Sequence, residues 1–187
     1  MTLRSLACVF VLSGLAATAA AEPRGFNVHD LLAMERISDP QPSPDGSQIV
    51  FVLRTTDLDA NKGRTDLWRV GADGAGLTRL TTHEASDSNP RWAPDGSGVF
   101  FLSSRSGSSQ VWRLPASAGE ARQVTDLPLD VGGFEVSPDG KNLAVALEVF
   151  VDCPDLACTK KRLDEQEEEK ATGRLYTQVF VRHWDTW

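Results

Sequence analysis

Three almost wholly apolar runs stand out in the pattern of hydrophobic and polar positions along the chain. They cover residues 48–53, 99–102 and 143–147, and polar or glycine-containing stretches separate them. Each run is apolar at successive positions instead of at every second one, which is typical of strands that are buried on both faces. The pattern therefore predicts three inner strands of a mainly β protein.

The same Pro-Asp-Gly turn precedes each apolar run. Proline fixes φ at the first corner, aspartate tolerates the second, and glycine accepts the left-handed conformation that closes a short hairpin. The turns are spaced by 50 and 44 residues, which is within the range of repeated structural units. The three copies are Ser43–Gly46, Ala93–Gly96 and Ser137–Gly140.

The repeat extends beyond the turn. Trp68 and Trp112 stand at matching positions, and each is followed 13 residues later by a threonine, Thr81 or Thr125. A six-residue insertion within residues 54–65 accounts for the longer first unit. We therefore predict that the two tryptophans occupy equivalent strand positions.

The predicted fold is all-β, a partial β-propeller, because four-stranded sheets that repeat around an axis are propeller blades. Two complete four-stranded blades are expected at residues 37–81 and 86–125, and an incomplete third from about residue 131. A β-sandwich with similar turns is the alternative, but its strands would not need the same residue spacing in successive units. A short N-terminal helix, capped by Asn27, is expected at residues 27–36.

Residues 1–21 have the pattern of a secretory signal peptide. Arg4 is their only charge, an apolar run follows, and small residues precede Glu22. Cleavage would leave residues 22–187 in the periplasm or outside the cell, with no membrane association; a transmembrane anchor is the alternative. The formal net charge of −7 argues against a nucleic-acid partner.

The third unit is interrupted by an excursion at residues 148–173. Its second half, residues 160–171, is rich in charged helix formers and predicts a solvated helix. Residues 176–181 then read as a strand again, in which Phe180 takes the place of Trp112.

Cys153 and Cys158 lie inside this excursion. In an oxidising compartment the pair favours a disulfide that clips the excursion. Free thiols are one alternative. A zinc site is another, but it needs two further ligands, and His183 is the only imidazole nearby in the sequence.

The signal peptide, Ser38–Gly46, the Pro-Asp-Gly units and the ending Arg182–Trp187 together resemble bacterial serine peptidases of the prolyl-oligopeptidase family. The resemblance is to the exported acylaminoacyl-peptidase and dipeptidyl-peptidase-5 type, although TolB-like propellers share the Pro-Asp-Gly repeat. It implies a propeller that caps a C-terminal α/β-hydrolase domain with a Ser-Asp-His triad. It also implies that the propeller filters peptide substrates by size and helps to hold their N-terminal end.

The chain departs from that family in one respect. It contains no Gly-x-Ser-x-Gly elbow, and its three histidines, His29, His83 and His183, have no serine in a nucleophile context. No catalytic residue, metal ligand or cofactor is therefore predicted here. Because propellers need about four to eight blades, we expect the front part of a longer peptidase that is inactive alone. The alternatives are a TolB-like binding or scaffold propeller and a standalone domain completed by oligomerisation.

Glu148 is the candidate substrate-binding residue. It ends the third apolar strand, so its position is fixed at the start of the longest loop, where functional groups concentrate. A carboxylate there is suited to pair with a peptide's α-amino group. The alternative is an ordinary surface residue at a strand end.

Overall fold

The protein is described by a computed structural model that covers residues 24–117 and 119–169. The predicted signal peptide and the predicted strand at 176–181 lie outside the described residues. The described elements, in chain order, are α1 (Val28–Ala33), β1 (Arg36–Pro42), β2 (Gln48–Asp57), β3 (Lys62–Gly71), β4 (Thr78–Arg79), β5 (Asp87–Trp92), β6 (Gly98–Ser103), β7 (Gln110–Pro115), β8 (Arg122–Gln123), β9 (Val131–Val136), β10 (Leu143–Leu147) and α2 (Leu156–Glu168).

The strands form two four-stranded antiparallel sheets, β1–β4 and β5–β8, and a two-stranded sheet, β9–β10. Trp68 lies opposite Phe51 in the first sheet, and Trp112 lies opposite Phe101 in the second. The two tryptophans thus occupy equivalent positions, as the spacing predicts. The predicted fold class, two complete blades and part of a third, is confirmed.

The sheets stack through two apolar clusters, and β6 contributes one face to each. Phe101 and Val99 point to the first cluster, whereas Phe100 and Leu102 point to the second. Every residue of β6 is buried, which explains why its sequence is apolar at successive positions. The first cluster consists of Val50, Val52, Leu67, Val99, Phe101 and Leu114. The second consists of Ala93, Phe100, Leu102, Val111, Val131 and Phe134.

Helix α1 begins after Asn27, whose Oδ1 accepts a hydrogen bond from the His29 amide at 2.8 Å. The helix ends at Ala33 rather than at residue 36, because β1 already begins at Arg36. Within the described residues, no helix is both long and apolar enough to span a bilayer.

Side chains close the first Pro-Asp-Gly turn. Ser43 Oγ donates to Asp45 Oδ1 at 2.6 Å, and the same oxygen accepts from the Ser47 amide at 3.0 Å. Gly46 has φ 71°, the left-handed conformation that the turn requires. The hydrogen bonds favour the charged carboxylate, with the one from Ser43 contributing most, and lower the pKa of Asp45 to about 2.

Ser43→Ala is expected to raise the pKa of Asp45 towards the ordinary aspartate value of about 3.9, because the largest stabilising hydrogen bond is lost. Because the pKa of Asp45 is lowered in the folded protein, its carboxylate stabilises the fold at pH values above the ordinary aspartate pKa. That contribution is lost as the pH falls through the folded pKa of about 2. Carboxyl NMR titration measures the change. Asp95 is the matched control, since alanine already stands at position 93 of its turn. An unchanged Asp45 pKa would contradict this account of the turn.

Candidate functional site

The connections between strands lie at two ends of the sheets, because neighbouring strands are antiparallel. The Pro-Asp-Gly turns occupy one end. The opposite end carries the β2–β3 and β6–β7 loops, the connections from one sheet to the next, and the segment that leaves β10. Long and chemically varied loops are therefore concentrated at this second end.

A cavity of about 660 Å³ lies among these loops. Its walls are the β6–β7 loop, the connection that leads into β9, the residue after β10, and one side of α2. Glu148, predicted as a binding residue, lines it directly. The lining residues are Gly107, Ser108, Pro128, Leu129, Asp130, Gly132, Glu148, Lys160, Leu163, Asp164 and Glu167.

Gln110 holds the wall that leads into β9. Its side chain is fully buried, and Nε2 donates to the carbonyls of Leu127 and Leu129 at 3.1 and 3.2 Å. Its Oε1 accepts from the Leu127 amide at 3.0 Å and from Thr125 Oγ1 at 2.8 Å. Sequence reasoning missed this residue. The available signal was that a neutral amide stands where the first unit has Asp66.

Helix α2 forms the opposite wall, and a short turn fixes where it begins. Asp155 Oδ1 accepts from the Cys158 amide at 2.8 Å, so the helix begins at Leu156, earlier than the predicted residue 160. Cys153 and Cys158 are joined by a disulfide with their Cα atoms 5.5 Å apart.

An ion pair that stacks on an aromatic ring holds α2 against the segment that precedes it. The Arg162 guanidinium donates two hydrogen bonds to the Asp152 carboxylate, at 2.8 and 2.9 Å, and lies 4.6 Å from the centre of the Phe150 ring. The hydrogen bonds from Arg162 lower the pKa of Asp152. Thr159 is buried beneath the helix, and its Oγ1 accepts from the Phe150 amide at 3.4 Å. The helix wall is therefore attached to the segment that follows Glu148.

The cavity is predominantly acidic. Four of its lining side chains are carboxylates, Asp130, Glu148, Asp164 and Glu167, against one ammonium, Lys160. Lys160 pairs with Asp164 one helical turn away, and this contact raises the lysine pKa. Glu148 is exposed to solvent at the cavity wall. A polar cavity with this excess of negative charge is suited to bind a small cationic or zwitterionic ligand.

A second charged feature connects the first strands of the three sheets. Arg91 Nη1 donates to Asp39 Oδ2 at 2.9 Å, and Arg91 Nε lies 3.7 Å from Glu135 Oε1. Asp39 has φ 47° at a bulge in β1, which directs its carboxylate towards the neighbouring sheet. One guanidinium thus joins β1, β5 and β9.

The remaining candidate chemistry is sparse. His83 Nδ1 accepts a hydrogen bond from the Ala85 amide at 3.0 Å, which is a local turn contact. Across residues 24–117 and 119–169, no group of three or more His, Cys, Asp or Glu side chains is arranged to hold a metal ion. His183 lies outside the described residues.

Known proteins share this architecture. A family model described as the TolB β-propeller domain matches residues 33–169. Dipeptidyl-peptidase 5 of Porphyromonas endodontalis is 32% identical over 157 residues, which are 84% of this chain and 22% of that protein. The uncharacterised peptidase YuxL of Bacillus subtilis is 31% identical over 121 residues, 64% of this chain and 18% of that protein. The chain thus spans about a fifth of the length of these relatives and corresponds to their N-terminal part.

Solved structures agree at the level of the fold. The acylaminoacyl peptidase of Pyrococcus horikoshii superposes with a TM-score of 0.53 at 20% identity, over 65% of this chain and 20% of that one. The resemblance to the propeller part of such peptidases, stated from the sequence, is confirmed. Since the matched residues 33–169 include all three sheets, the chain belongs to the TolB β-propeller domain family.

Proposed function

We propose that the chain is the propeller portion of an exported serine peptidase that cleaves short peptides. In this proposal the propeller screens substrates by size, and a separate α/β-hydrolase domain breaks the peptide bond. The observation that carries the proposal is the 32% identity to a protein named dipeptidyl-peptidase 5, of which the chain spans 22%. The 187 residues contain no Gly-x-Ser-x-Gly elbow, so their part in the reaction is recognition.

The acidic cavity supplies the recognition site. Its volume of about 660 Å³ is within the range of small-ligand sites. Glu148 pairs with the substrate's free α-amino group, which is protonated near neutral pH. The alternative is that Glu148 is only a surface residue at a strand end; its substitution would then affect free-amine and N-blocked peptides equally or not at all.

The proposed partners follow from this role. They are a short peptide, bound at the cavity, and the hydrolase domain that acts on it. The signal-peptide pattern of residues 1–21 favours a periplasmic or secreted protein. The acidic balance of the chain favours neither nucleic acid nor an anionic membrane surface as a partner.

A binding or scaffold propeller of the TolB type is the second candidate, and the match to the TolB β-propeller domain favours it. The coding sequence beyond the codon for Trp187 separates the two. A hydrolase pattern with a Gly-x-Ser-x-Gly elbow in the same reading frame is the result expected for the peptidase. Further Pro-Asp-Gly blades followed directly by a stop codon would overturn the peptidase proposal.

A further inference from the structure

Helix α2 is loosely packed for an element that lines a cavity. Thr159 is its one buried residue, and every residue from Leu163 to Glu168 is exposed. No described strand packs closely along it. The position of this cavity wall therefore depends on how the N-terminal end of the helix is attached. The side chains that α2 contributes to the cavity are Lys160, Leu163, Asp164 and Glu167.

The order of charges along α2 opposes its helix dipole. Residues 160–162 are basic, whereas four of the six residues that follow are carboxylates, near the end of the helix where its partial charge is also negative. In the pairs Lys160–Asp164 and Lys161–Glu165 the lysine precedes the carboxylate, which is the weaker of the two orientations. A helix of 13 residues is marginal in water even without these disadvantages. α2 therefore depends on the segment to which its first turns are attached.

The attachment of α2 runs through the segment that precedes it. Within the described residues, every hydrogen bond and ion pair that leaves the helix ends on residues 150–155. The Arg162 side chain is 37% exposed and that of Asp152 is 66% exposed, so their ion pair contributes little. The Cys153–Cys158 disulfide is the covalent contact, and it joins this segment to the first turn of the helix. The disulfide is therefore the strongest constraint on where α2 lies.

We propose that the Cys153–Cys158 disulfide is a redox switch of the acidic cavity. While the disulfide is intact, α2 is held as a wall of the cavity; when a dithiol reduces it, α2 separates from residues 150–155 and the cavity opens on that side. Both cysteines are partly exposed, and Asp152 and Pro154 beside them are exposed, so a dithiol has access to the bond. The release of α2 does not depend on the proposed function, whereas its effect on peptide substrates rests on that function.

The proposed reaction is a thiol–disulfide exchange. A thiolate of the dithiol attacks one sulfur of the pair, the Cys153–Cys158 bond breaks, and the other sulfur leaves with the electron pair and takes up a proton. The second thiolate of the reductant then attacks the mixed disulfide, forms the reductant's own disulfide and releases the second cysteine as a thiol. Two electrons and two protons thus pass from the dithiol to the protein, and reoxidation reverses the change.

Reduction should separate two properties of the cavity. Glu148 directly follows β10, so its carboxylate keeps its place when α2 is released. Leu163 and Glu167 leave with the helix, and the wall that limits the size of the cavity leaves with them. Under the proposed function, the oxidised enzyme therefore selects short peptides, and the reduced enzyme accepts longer ones that still carry a free α-amino group.

Amide hydrogen exchange of the full 187-residue chain, before and after treatment with dithiothreitol, tests the release of α2. Reduction is expected to speed exchange at residues 160–168 about tenfold and to leave β6 unchanged, and reoxidation should restore the slow rates. Cys153→Ser/Cys158→Ser should show the fast rates without reductant and no response to it. Arg162→Met is the matched control, because it removes the ion pair and keeps the disulfide; exchange should rise by no more than about twofold.

Two results would overturn the release of α2. One is unchanged exchange in the helix after alkylation and mass spectrometry show that both cysteines are reduced. The other is an effect of Arg162→Met as large as that of reduction, which would assign the attachment to the ion pair.

A tripeptide and a decapeptide, both with a free α-amino group, test the consequence in the full-length enzyme. Reduction is expected to raise the decapeptide-to-tripeptide ratio of kcat/KM about tenfold, and Cys153→Ser/Cys158→Ser should show the raised ratio without reductant. An unchanged ratio despite faster exchange in α2 would overturn the role of the helix in size selection. A protein without peptidase activity would contradict the proposed function, and the exchange rates would still decide whether the disulfide holds α2.

Discussion

Asp87→Asn is expected to lower the free energy of unfolding of the chain by about 3–5 kcal/mol, because it leaves a largely buried guanidinium without its counter-charge. Asp87 is fully buried, and both of its carboxylate oxygens accept from Arg105 Nη2, at 2.8 and 2.7 Å. The Arg105 guanidinium is held 5.2 and 5.0 Å from the ring centres of Phe101 and Trp112. Its side chain is only 13% exposed, so water can replace little of the lost contact with the carboxylate. Urea unfolding at neutral pH measures the loss.

Asp57→Asn is the matched control for this substitution. Asp57 also pairs with an arginine, Arg64, at 2.7 Å, but both side chains are about 30% exposed, so a loss of about 0–1 kcal/mol is expected. The double substitution Asp87→Asn/Arg105→Met also removes the unpaired Arg105 guanidinium, so it should restore much of the lost stability. Equal losses for Asp87→Asn and Asp57→Asn would show that burial does not set the strength of the Asp87 pair.

Glu148→Gln is expected to lower kcat/KM for peptides with a free α-amino group by about 10–100-fold in the full-length enzyme. A hydrogen bond to a charged group contributes about 1.5–3 kcal/mol, and each 1.36 kcal/mol is about a factor of ten in rate. N-blocked peptides carry no α-ammonium, so their kcat/KM should change by no more than about twofold. Steady-state kinetics with matched free and N-blocked peptides measures the difference.

Two glutamates of α2 are controls for this effect. Glu167 lines the same cavity, whereas Glu165 does not. Glu165→Gln should leave both substrate classes unchanged, and Glu167→Gln should have a smaller effect than Glu148→Gln, because Glu148 directly ends an ordered strand. Equal effects of Glu148→Gln on both classes, or none, would exclude Glu148 from the peptide-binding site.

The repeat could be predicted from the sequence because its determinants are local. The Pro-Asp-Gly turn determines where the first two strands of each sheet form a hairpin. The equal spacing from tryptophan to threonine determines where the third and fourth strands lie. The structure gives this second spacing a physical reason: Thr81 Oγ1 accepts from the Leu67 amide and Thr125 Oγ1 from the Val111 amide, both at 2.9 Å. In both sheets the same spacing therefore places a threonine hydroxyl on the amide of the residue before the tryptophan.

Contacts between sheets could not be predicted in the same way. Arg91 pairs with Asp39, 52 positions earlier, and the pairing depends on a left-handed bulge and on how two sheets stack. The acidic cavity likewise combines four separate segments of the chain. Glu148 is the one lining residue that the sequence identified as a binding residue. The supporting residue Gln110 is the first residue of β7, and its role depends on the backbone carbonyls of Leu127 and Leu129, which the fold brings to its side chain.

Fluorophosphonate labelling of the native protein tests the central claim most directly. The protein is captured from its source cells with an antibody to the 22–169 region, labelled, and mapped by mass spectrometry, beside the isolated 187-residue chain. The peptidase account predicts one labelled serine that lies outside these 187 residues but in the same polypeptide, and no labelling of the isolated chain. A native protein that takes no label, or one labelled at a serine within residues 1–187, would contradict it.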